Sequence, residues 1–173
     1  MKRLLAATLI SITALGTSAF AGPQFIDNTG FAVSGYDVVA YFDLEQAPIG
    51  QSQPLAIPGN ATITADYNGS TFAFSTEANR DTFLADPAKY APQYDGHCAY
   101  GVAVGGKVPA NPNLWRIVDG KLFLNINTDV VSRWEKDVPG FVVKADDEWT
   151  GLEAAAASTA RIPSFKSEAP VTN

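Results

Sequence analysis

The sequence predicts an α+β protein, a single domain in which two β-hairpins form a small antiparallel sheet packed with short helices. Two Asn-Gly or Asp-Gly pairs are each flanked by alternating residues, which is the strongest short-range hairpin signal. Each hairpin is followed by a capped apolar segment that is typical of a short helix. About 150 residues remain after a leader, enough for one hydrophobic core.

The first residues resemble a secretory signal peptide over positions 1–21. Lys2 and Arg3 precede an apolar stretch from residue 4 to 15 that is too short to span a bilayer, and an Ala-x-Ala site ends at Ala21. We expect cleavage after Ala21, a periplasmic or secreted product, and no membrane insertion after cleavage. Residues 22–30 are then an N-terminal segment, and residues 31–154 are the folded domain.

The chain is acidic, with a formal net charge of −6. Cleavage of the leader would remove two basic residues and no acidic one, which lowers the charge further. This excess of negative charge disfavours nucleic acid and anionic membrane surfaces as partners.

The N-terminal half of the domain contains one predicted helix, one irregular connection and the first hairpin. Phe31–Phe42 suggests a short helix with Ser34 as its cap. Residues 46–60 hold three prolines and two glycines, which indicates an irregular connection. Residues 63–67 and 70–74 then flank Asn68-Gly69 as a hairpin.

Three elements are predicted in the middle of the chain. Ser75 or Thr76 caps a helix over Glu77–Ala85, which ends at an Asp-Pro pair. A loop then enters a short apolar strand over Ala99–Val104. The second hairpin pairs residues 115–118 with residues 121–125 around Asp119-Gly120.

The C-terminal part is predicted to contain two helices and a tail. Asn127 or Thr128 caps a helix that runs through Trp134 and Lys136 and ends at Pro139-Gly140. A last helix is predicted over Lys144–Ala157. Residues 155–173 lose the apolar pattern and are expected to form a mobile tail.

His97 and Cys98 are the only histidine and cysteine in the chain, and they are adjacent. A single cysteine cannot close an internal disulfide, so Cys98 pairs with another molecule, stays a thiol or metal ligand, or is a buried apolar residue. Neighbouring side chains on an extended backbone point to opposite faces, although a turn at Gly96 could bring this pair together. Closed zinc sites need four ligands, whereas thiolate and imidazole also suit copper.

Four other side chains are candidate supports for this pair. Asp37 could accept hydrogen bonds near the site, or act only as a carboxylate at a helix start. Tyr36, Tyr41 and Tyr100 could surround the pair, or be core aromatics whose hydroxyls find partners elsewhere.

Several stretches together resemble the exported YHS-domain proteins. The matching stretches are residues 35–42 (GYDVVAYF), 68–75 (NGSTFAFS), 79–94 (NRDTFLADPAKYAPQY), 98–100 (CAY), 118–125 (VDGKLFLN) and 134–137 (WEKD), followed by Pro139-Gly140. The resemblance implies a small α+β domain related to metal-associated modules found with copper-transport proteins. It also implies that the Cys98 position carries selenocysteine in some members. This chain departs from the metal-binding pattern, because Ser75 and Asn79 stand where such modules often have cysteines.

The sequence therefore predicts a periplasmic protein that binds or handles a metal, copper above all, with Cys98 as the principal ligand and His97 as a possible second ligand. The partner would then be a metal ion or a redox or metal-transfer protein, and the chain is expected not to be an enzyme. One alternative is a thiol-redox protein in which Cys98 is the reactive thiol. The other is a non-catalytic binding domain in which Cys98 is structural.

Overall fold

The computed structural model describes residues 23–170, in which four strands and five α-helices build one α+β body. The four strands form two separate two-stranded antiparallel sheets, one from each predicted hairpin. The predicted signal peptide and its cleavage point after Ala21 lie outside the described residues. Within residues 23–170, no helix combines the length and the apolar character that crossing a bilayer requires.

Both predicted hairpins are confirmed. Strand β1 (Asn60–Tyr67) pairs with β2 (Ser70–Phe74), and β3 (Asn111–Val118) pairs with β4 (Lys121–Asn125). At the first turn φ is 47° for Asn68 and 72° for Gly69, and the Asp-Gly turn of the second hairpin has similar values of 50° and 73°. These are the positive φ angles that a two-residue turn needs, and Asn, Asp and Gly adopt them at little cost.

Two of the predicted helices are confirmed with their caps. Helix α1 (Glu77–Ala85) begins after Thr76, whose hydroxyl accepts a hydrogen bond from the Asn79 N–H at 3.1 Å. Helix α4 (Thr128–Trp134) begins after Asn127, whose side chain accepts from the Val130 N–H. These side chains satisfy backbone donors that a first helical turn otherwise leaves unpaired.

The short strand predicted over Ala99–Val104 is wrong. These residues form helix α3 (Ala99–Ala103), and Cys98 is its N-cap. Apart from the hydroxyl of Tyr100 the run is apolar throughout, so it carries no periodicity that separates a strand from a buried helix. The deciding feature is the N-cap, where the Cys98 sulfur accepts a hydrogen bond from the Gly101 N–H at 3.4 Å.

Helix α5 (Val138–Leu152) begins six residues earlier than predicted and contains the Pro139-Gly140 pair that was expected to end the preceding helix. Proline fits the first turn of a helix, because its missing N–H has no intrahelical acceptor there. The carboxylate of Asp137 caps this turn by accepting from the Gly140 N–H at 3.1 Å. A further helix, α2 (Pro87–Tyr90), begins at a proline in the same way.

The helix predicted over Phe31–Phe42 is replaced by two 3-10 turns, Val33–Gly35 and Ala40–Asp43. Ser34 does not cap a helix, because its φ is 53° and the following Gly35 has a φ of 78°. With Val33, whose φ is 51°, three consecutive left-handed residues reverse the chain before an α-helix can begin.

Two clusters of buried residues form the interior. The larger cluster lies around the two hairpins and includes Phe72, Phe74, Phe83, Leu122 and Leu124. The smaller cluster packs α3 against α5, with Val102 and Ala145 both buried in it. Cys98 belongs to the larger cluster.

Both flanks of the predicted domain contact the body. In the N-terminal segment, the Phe25 N–H donates to the Asp95 carbonyl at 2.8 Å. In the segment predicted to be a mobile tail, the Ser158 N–H donates to the His97 ring at 3.2 Å, and the Ser167 hydroxyl donates to the Ser34 carbonyl at 3.0 Å. The turn before α3 therefore contacts both flanks of the domain.

Candidate functional site

A turn with unusual backbone geometry precedes the His-Cys pair. In the 3-10 segment Gln93–Gly96, φ is 56° at Tyr94, 53° at Asp95 and 76° at Gly96. Non-glycine residues in this left-handed region are strained by roughly 1–3 kcal/mol each, and they persist only where the surrounding contacts fix them. The turn brings the Tyr94 carbonyl back over His97, which it contacts through both the backbone and the ring.

The Cys98 side chain is sealed inside the protein. Its exposed fraction is 0%, and it lies in the larger core cluster. The sulfur accepts from the Gly101 N–H at 3.4 Å, and the thiol hydrogen points to Asn125 Oδ1, also 3.4 Å away. Burial raises the pKa of the thiol above its usual range, although backbone hydrogen bonds, led by that of Gly101, act in the opposite direction. Cys98 is therefore a protonated, helix-capping residue at neutral pH.

His97 is equally buried, but it faces different neighbours. Its ring lies between Phe25 and Trp149, with ring centroids 5.8 and 6.3 Å away. Nδ1 lies 2.9 Å from the Tyr94 carbonyl, which can only accept, so Nδ1 carries the proton. Nε2 then accepts from the Ser158 N–H at 3.2 Å. Both ring nitrogens are thus occupied within the protein.

Burial lowers the pKa of His97 to about 4, and the nearby Lys107 acts in the same direction, while the hydrogen bond to Tyr94 opposes both. The imidazole is therefore neutral at physiological pH. It cannot provide the positive charge that stabilises a neighbouring thiolate.

The residues present do not fit a copper centre. His97 has no free lone pair, and the Cys98 sulfur is enclosed by apolar side chains and a capping interaction. Across residues 23–170, no group of three or more His, Cys, Asp or Glu side chains is arranged to hold a metal ion. Metal binding by Cys98 and His97 accordingly stays a prediction without a donor set to support it.

Asp37 lies in a hydrogen-bond network of its own, in which its carboxylate is buried and the donor residues Ser75 and Asn79 are half-buried. Oδ1 accepts from the N–H groups of Val39 and Ala40 at 2.9 and 3.2 Å. Oδ2 accepts from the Ser75 N–H, the Ser75 hydroxyl and the Asn79 amide at 2.8, 2.6 and 2.7 Å. Ser75 and Asn79 thus hold this carboxylate, and together with it they connect the 3-10 turn to α1.

The candidate tyrosines also have partners outside the His-Cys pair. The Tyr41 hydroxyl donates to the Pro112 carbonyl at 2.8 Å, and burial raises its pKa well above the usual value. The Tyr36 hydroxyl accepts from the Glu168 N–H at 3.3 Å. The ring of Tyr100 packs on Phe141 with centroids 5.1 Å apart. These contacts are those of core aromatics, and the hydroxyls of Tyr41 and Tyr36 both have hydrogen-bond partners.

Two residues that sequence reasoning missed complete the surroundings of the pair. Asn125, at the end of β4, accepts through Oδ1 from the Tyr100 N–H at 3.1 Å as well as facing the Cys98 sulfur. Asp95 accepts from the Gln24 amide at 2.7 Å, and burial raises its pKa to about 6. The available sequence signals were an asparagine at the end of a predicted strand and an acid two residues before the chain's single histidine.

An open cleft lies next to this region and was also missed. It has a volume of about 670 Å³ and is lined on one side by residues 25–29 and on the other by residues 158–167. The second wall begins at Ser158, whose backbone N–H donates a hydrogen bond to His97 Nε2. The sequence predicts a mobile tail over this wall, and no sequence pattern marks its side chains as part of a site.

Evidence on the function of this chain comes from the surroundings of Cys98 and His97 and from the neighbouring cleft. The resemblance to exported YHS-domain proteins stays a prediction. Protein-family models, curated proteins and solved structures gave no match to this chain.

Proposed function

We propose that this chain is a periplasmic or secreted, non-catalytic binding domain for a small molecule. In this proposal, Cys98 and His97 stabilise the fold, and the cleft between residues 25–29 and 158–167 takes the ligand. The observation that carries the proposal is that the exposed fractions of Cys98 and His97 are both 0%, while each side chain is hydrogen-bonded within the protein.

A redox role for Cys98 would require a thiolate that an oxidant or a partner thiol can reach. The Cys98 sulfur is enclosed, and burial raises the pKa of its thiol. The lone pairs of Asn125 Oδ1 also face the sulfur, which favours S–H over a negative charge at this position. The alternative of a reactive thiol consequently has less support than a structural one.

Metal handling would require a donor that the protein can release. Binding through His97 Nε2 would break the hydrogen bond from Ser158, and binding through Nδ1 would break the contact with Tyr94. Binding through Cys98 would remove the cap of α3. Metal binding at any of these atoms would break a hydrogen bond that stabilises the fold, whereas a ligand could enter the open cleft without breaking one.

The cleft is the feature that supports binding. Its volume of about 670 Å³ lies within the usual range for small-molecule sites, roughly 300–1,000 Å³. Its walls combine apolar side chains such as Ile26 and Phe165 with polar ones such as Asn28 and Ser167. This mixture is typical of sites that enclose a small ligand and fix its orientation.

The proposal is tested by asking whether the two buried side chains react or bind metal in the folded state. Purified protein and a Cys98→Ser, His97→Ala double variant are loaded with Cu(I), desalted and analysed for metal. In parallel, the protein is treated with mild peroxide with and without urea, and Cys98 is examined by mass spectrometry.

We expect equal copper in the two proteins, and oxidation of Cys98 only in urea. The urea sample is the control, since it shows that the dose is sufficient once the thiol is exposed. Copper that is retained in proportion to the protein and lost in the double variant would refute the proposal in favour of metal binding. Oxidation of Cys98 without urea would refute it in favour of a redox role.

A further inference from the structure

We infer that the cleft binds small monoanions with an apolar body, of the class of aliphatic carboxylates. This inference rests on the proposed function and adds a ligand class to it. Three features carry the inference: the two-ended anchoring of the tail, the charge of the cleft, and its apolar walls.

The tail is fixed at both ends of the cleft wall. At one end, the Ser158 N–H donates to His97 Nε2 at 3.2 Å. At the other, the Ser167 hydroxyl donates to the Ser34 carbonyl at 3.0 Å, and Ala169 is buried in the larger core cluster. The residues between these anchors line open space. A wall that is held in place before a ligand arrives lowers the ordering cost of binding.

The opposite wall is also fixed. Phe25 is held by the Asp95 carbonyl, and Ile26 forms a β-bridge with Ala32. The Asp27 carboxylate accepts from the N–H and the hydroxyl of Thr29 at 3.0 and 2.6 Å, so one of its oxygens is already engaged by its own loop.

The charge of the cleft is opposite to that of the protein. The chain has a net charge of −6, yet the charged residues that line the cleft, within the described range, are Arg161, Lys166 and Asp27. Two cations against one anion give a positive site on an acidic protein. Such a local reversal of charge attracts an anion and repels a cation.

The remaining wall is partly apolar. The ring of Phe165 and the side chains of Ile26 and Ile162 line the same cleft as the two cations, and all three are at least partly exposed. An anion without an apolar part would leave these surfaces in contact with water, and a neutral apolar ligand would leave the cations unpaired. A carboxylate on an aliphatic chain matches both.

Octanoate is a suitable probe, with octylammonium and octanol as matched probes that share its chain. Binding is measured by isothermal titration calorimetry at low salt, and the site is located by amide chemical-shift changes in NMR spectra. We expect octanoate to bind more tightly than octanol, octylammonium not to bind, and shifts at residues 25–29 and 158–167. Added salt should weaken octanoate binding because the pairing charges lie near solvent.

The matched variants are Arg161→Gln, Lys166→Gln and Arg133→Gln, Lys136→Gln. Each removes two exposed cations, but only the first pair lines the cleft. We expect the first double variant to weaken octanoate binding by about tenfold and to leave octanol binding unchanged, and the second to have little effect.

Three results would overturn the inference: preferential binding of octylammonium, equal loss of octanoate binding in the two double variants, or shifts confined to other parts of the protein. Failure of octanoate to bind at all would also overturn it. None of these outcomes alters the copper and peroxide tests of Cys98 and His97, and shifts at the cleft caused by octanol or octylammonium would still support a binding cleft. Failure of the ligand class can therefore be told apart from failure of the proposed function.

Discussion

Replacing Asp37 by asparagine tests whether the enclosed carboxylate holds the fold together. Its two oxygens accept hydrogen bonds from five donors, two at Oδ1 and three at Oδ2. Asparagine has nearly the same shape, but one of the oxygens becomes an NH₂ group that can only donate. The substitution therefore changes hydrogen bonding while it leaves packing almost unaltered.

The magnitude follows from the geometry of the two possible amide orientations. If NH₂ replaces Oδ1, the N–H groups of Val39 and Ala40 lose their acceptor. If it replaces Oδ2, the Ser75 N–H loses its acceptor, while the Ser75 hydroxyl can rotate to accept and the half-buried Asn79 amide still has that hydroxyl as an acceptor at 3.5 Å. At least one donor is unpaired in either case. At roughly 1–3 kcal/mol for each buried unpaired group, the free energy of unfolding should fall by about 1–6 kcal/mol.

The assay is urea unfolding at neutral pH, followed by the fluorescence of the three tryptophans. With a denaturant slope of roughly 2 kcal/mol/M, the midpoint should fall by at least about 0.5 M. Asp66→Asn is the matched control, because Asp66 is exposed and accepts a single side-chain hydrogen bond, from Thr71. Its effect should stay within about 0.5 kcal/mol. An Asp37→Asn protein as stable as the control would refute the structural role assigned to this carboxylate.

The other predictions concern His97 and the buried ion pair. Burial lowers the pKa of His97 to about 4, so the unfolded chain binds a proton first as the pH falls from 6.5. By pH 4 this difference should lower the free energy of unfolding by up to about 3 kcal/mol. His97→Gln should remove that pH dependence from urea midpoints measured at several pH values. Burial raises the pKa of Asp95 to about 6, so its effect on stability is opposite to that of His97. The stabilising effect of Asp95 is present at low pH and is lost as the pH rises through 6. Asp95→Asn should therefore make the loss of stability on acidification steeper. Glu135→Ala leaves the buried Arg116 guanidinium without its carboxylate and should lower the free energy of unfolding by about 3–5 kcal/mol in the same assay. An Arg116→Met, Glu135→Leu double variant should lower it by less, because no unpaired charge remains buried. Equal losses in the two variants would contradict this account.

The elements with local signals were predictable from the sequence. Asn68-Gly69 and Asp119-Gly120 need positive φ angles, and their flanking residues alternate, so both hairpins follow from short-range chemistry. Helix α1 and helix α4 were predictable for the same reason, because Thr76 and Asn127 are capping residues directly before an apolar pattern.

The elements that were missed depend on contacts between distant parts of the chain. Helix α3 has no periodic apolar pattern, and its start is fixed by the Cys98 sulfur rather than by an ordinary cap. The partners of Asp37 lie 38 and 42 residues away, at Ser75 and Asn79, and the partner of His97 lies 61 residues away, at Ser158. No local pattern reports such pairings.

The candidate pair itself shows why adjacency in sequence is a weak guide to a site. His97 and Cys98 were singled out because each residue type occurs once, but composition does not report direction. The backbone turn before them directs the ring toward Phe25 and Trp149 and the sulfur toward the core near Asn125. The cleft, in contrast, is lined by residues from the two extremes of the described chain, which sequence reasoning treated as separate flanks.

The left-handed turn at residues 94–96 has a consequence for how the protein comes apart. Through Asp95 it holds the segment near residue 25, and through the neighbouring His97 it holds the segment near residue 158. Local unfolding of either segment would thus remove hydrogen bonds that hold the same turn, at residues 94–97. Proteolysis at one extremity should consequently hasten cleavage at the other, although more than a hundred residues separate them along the chain.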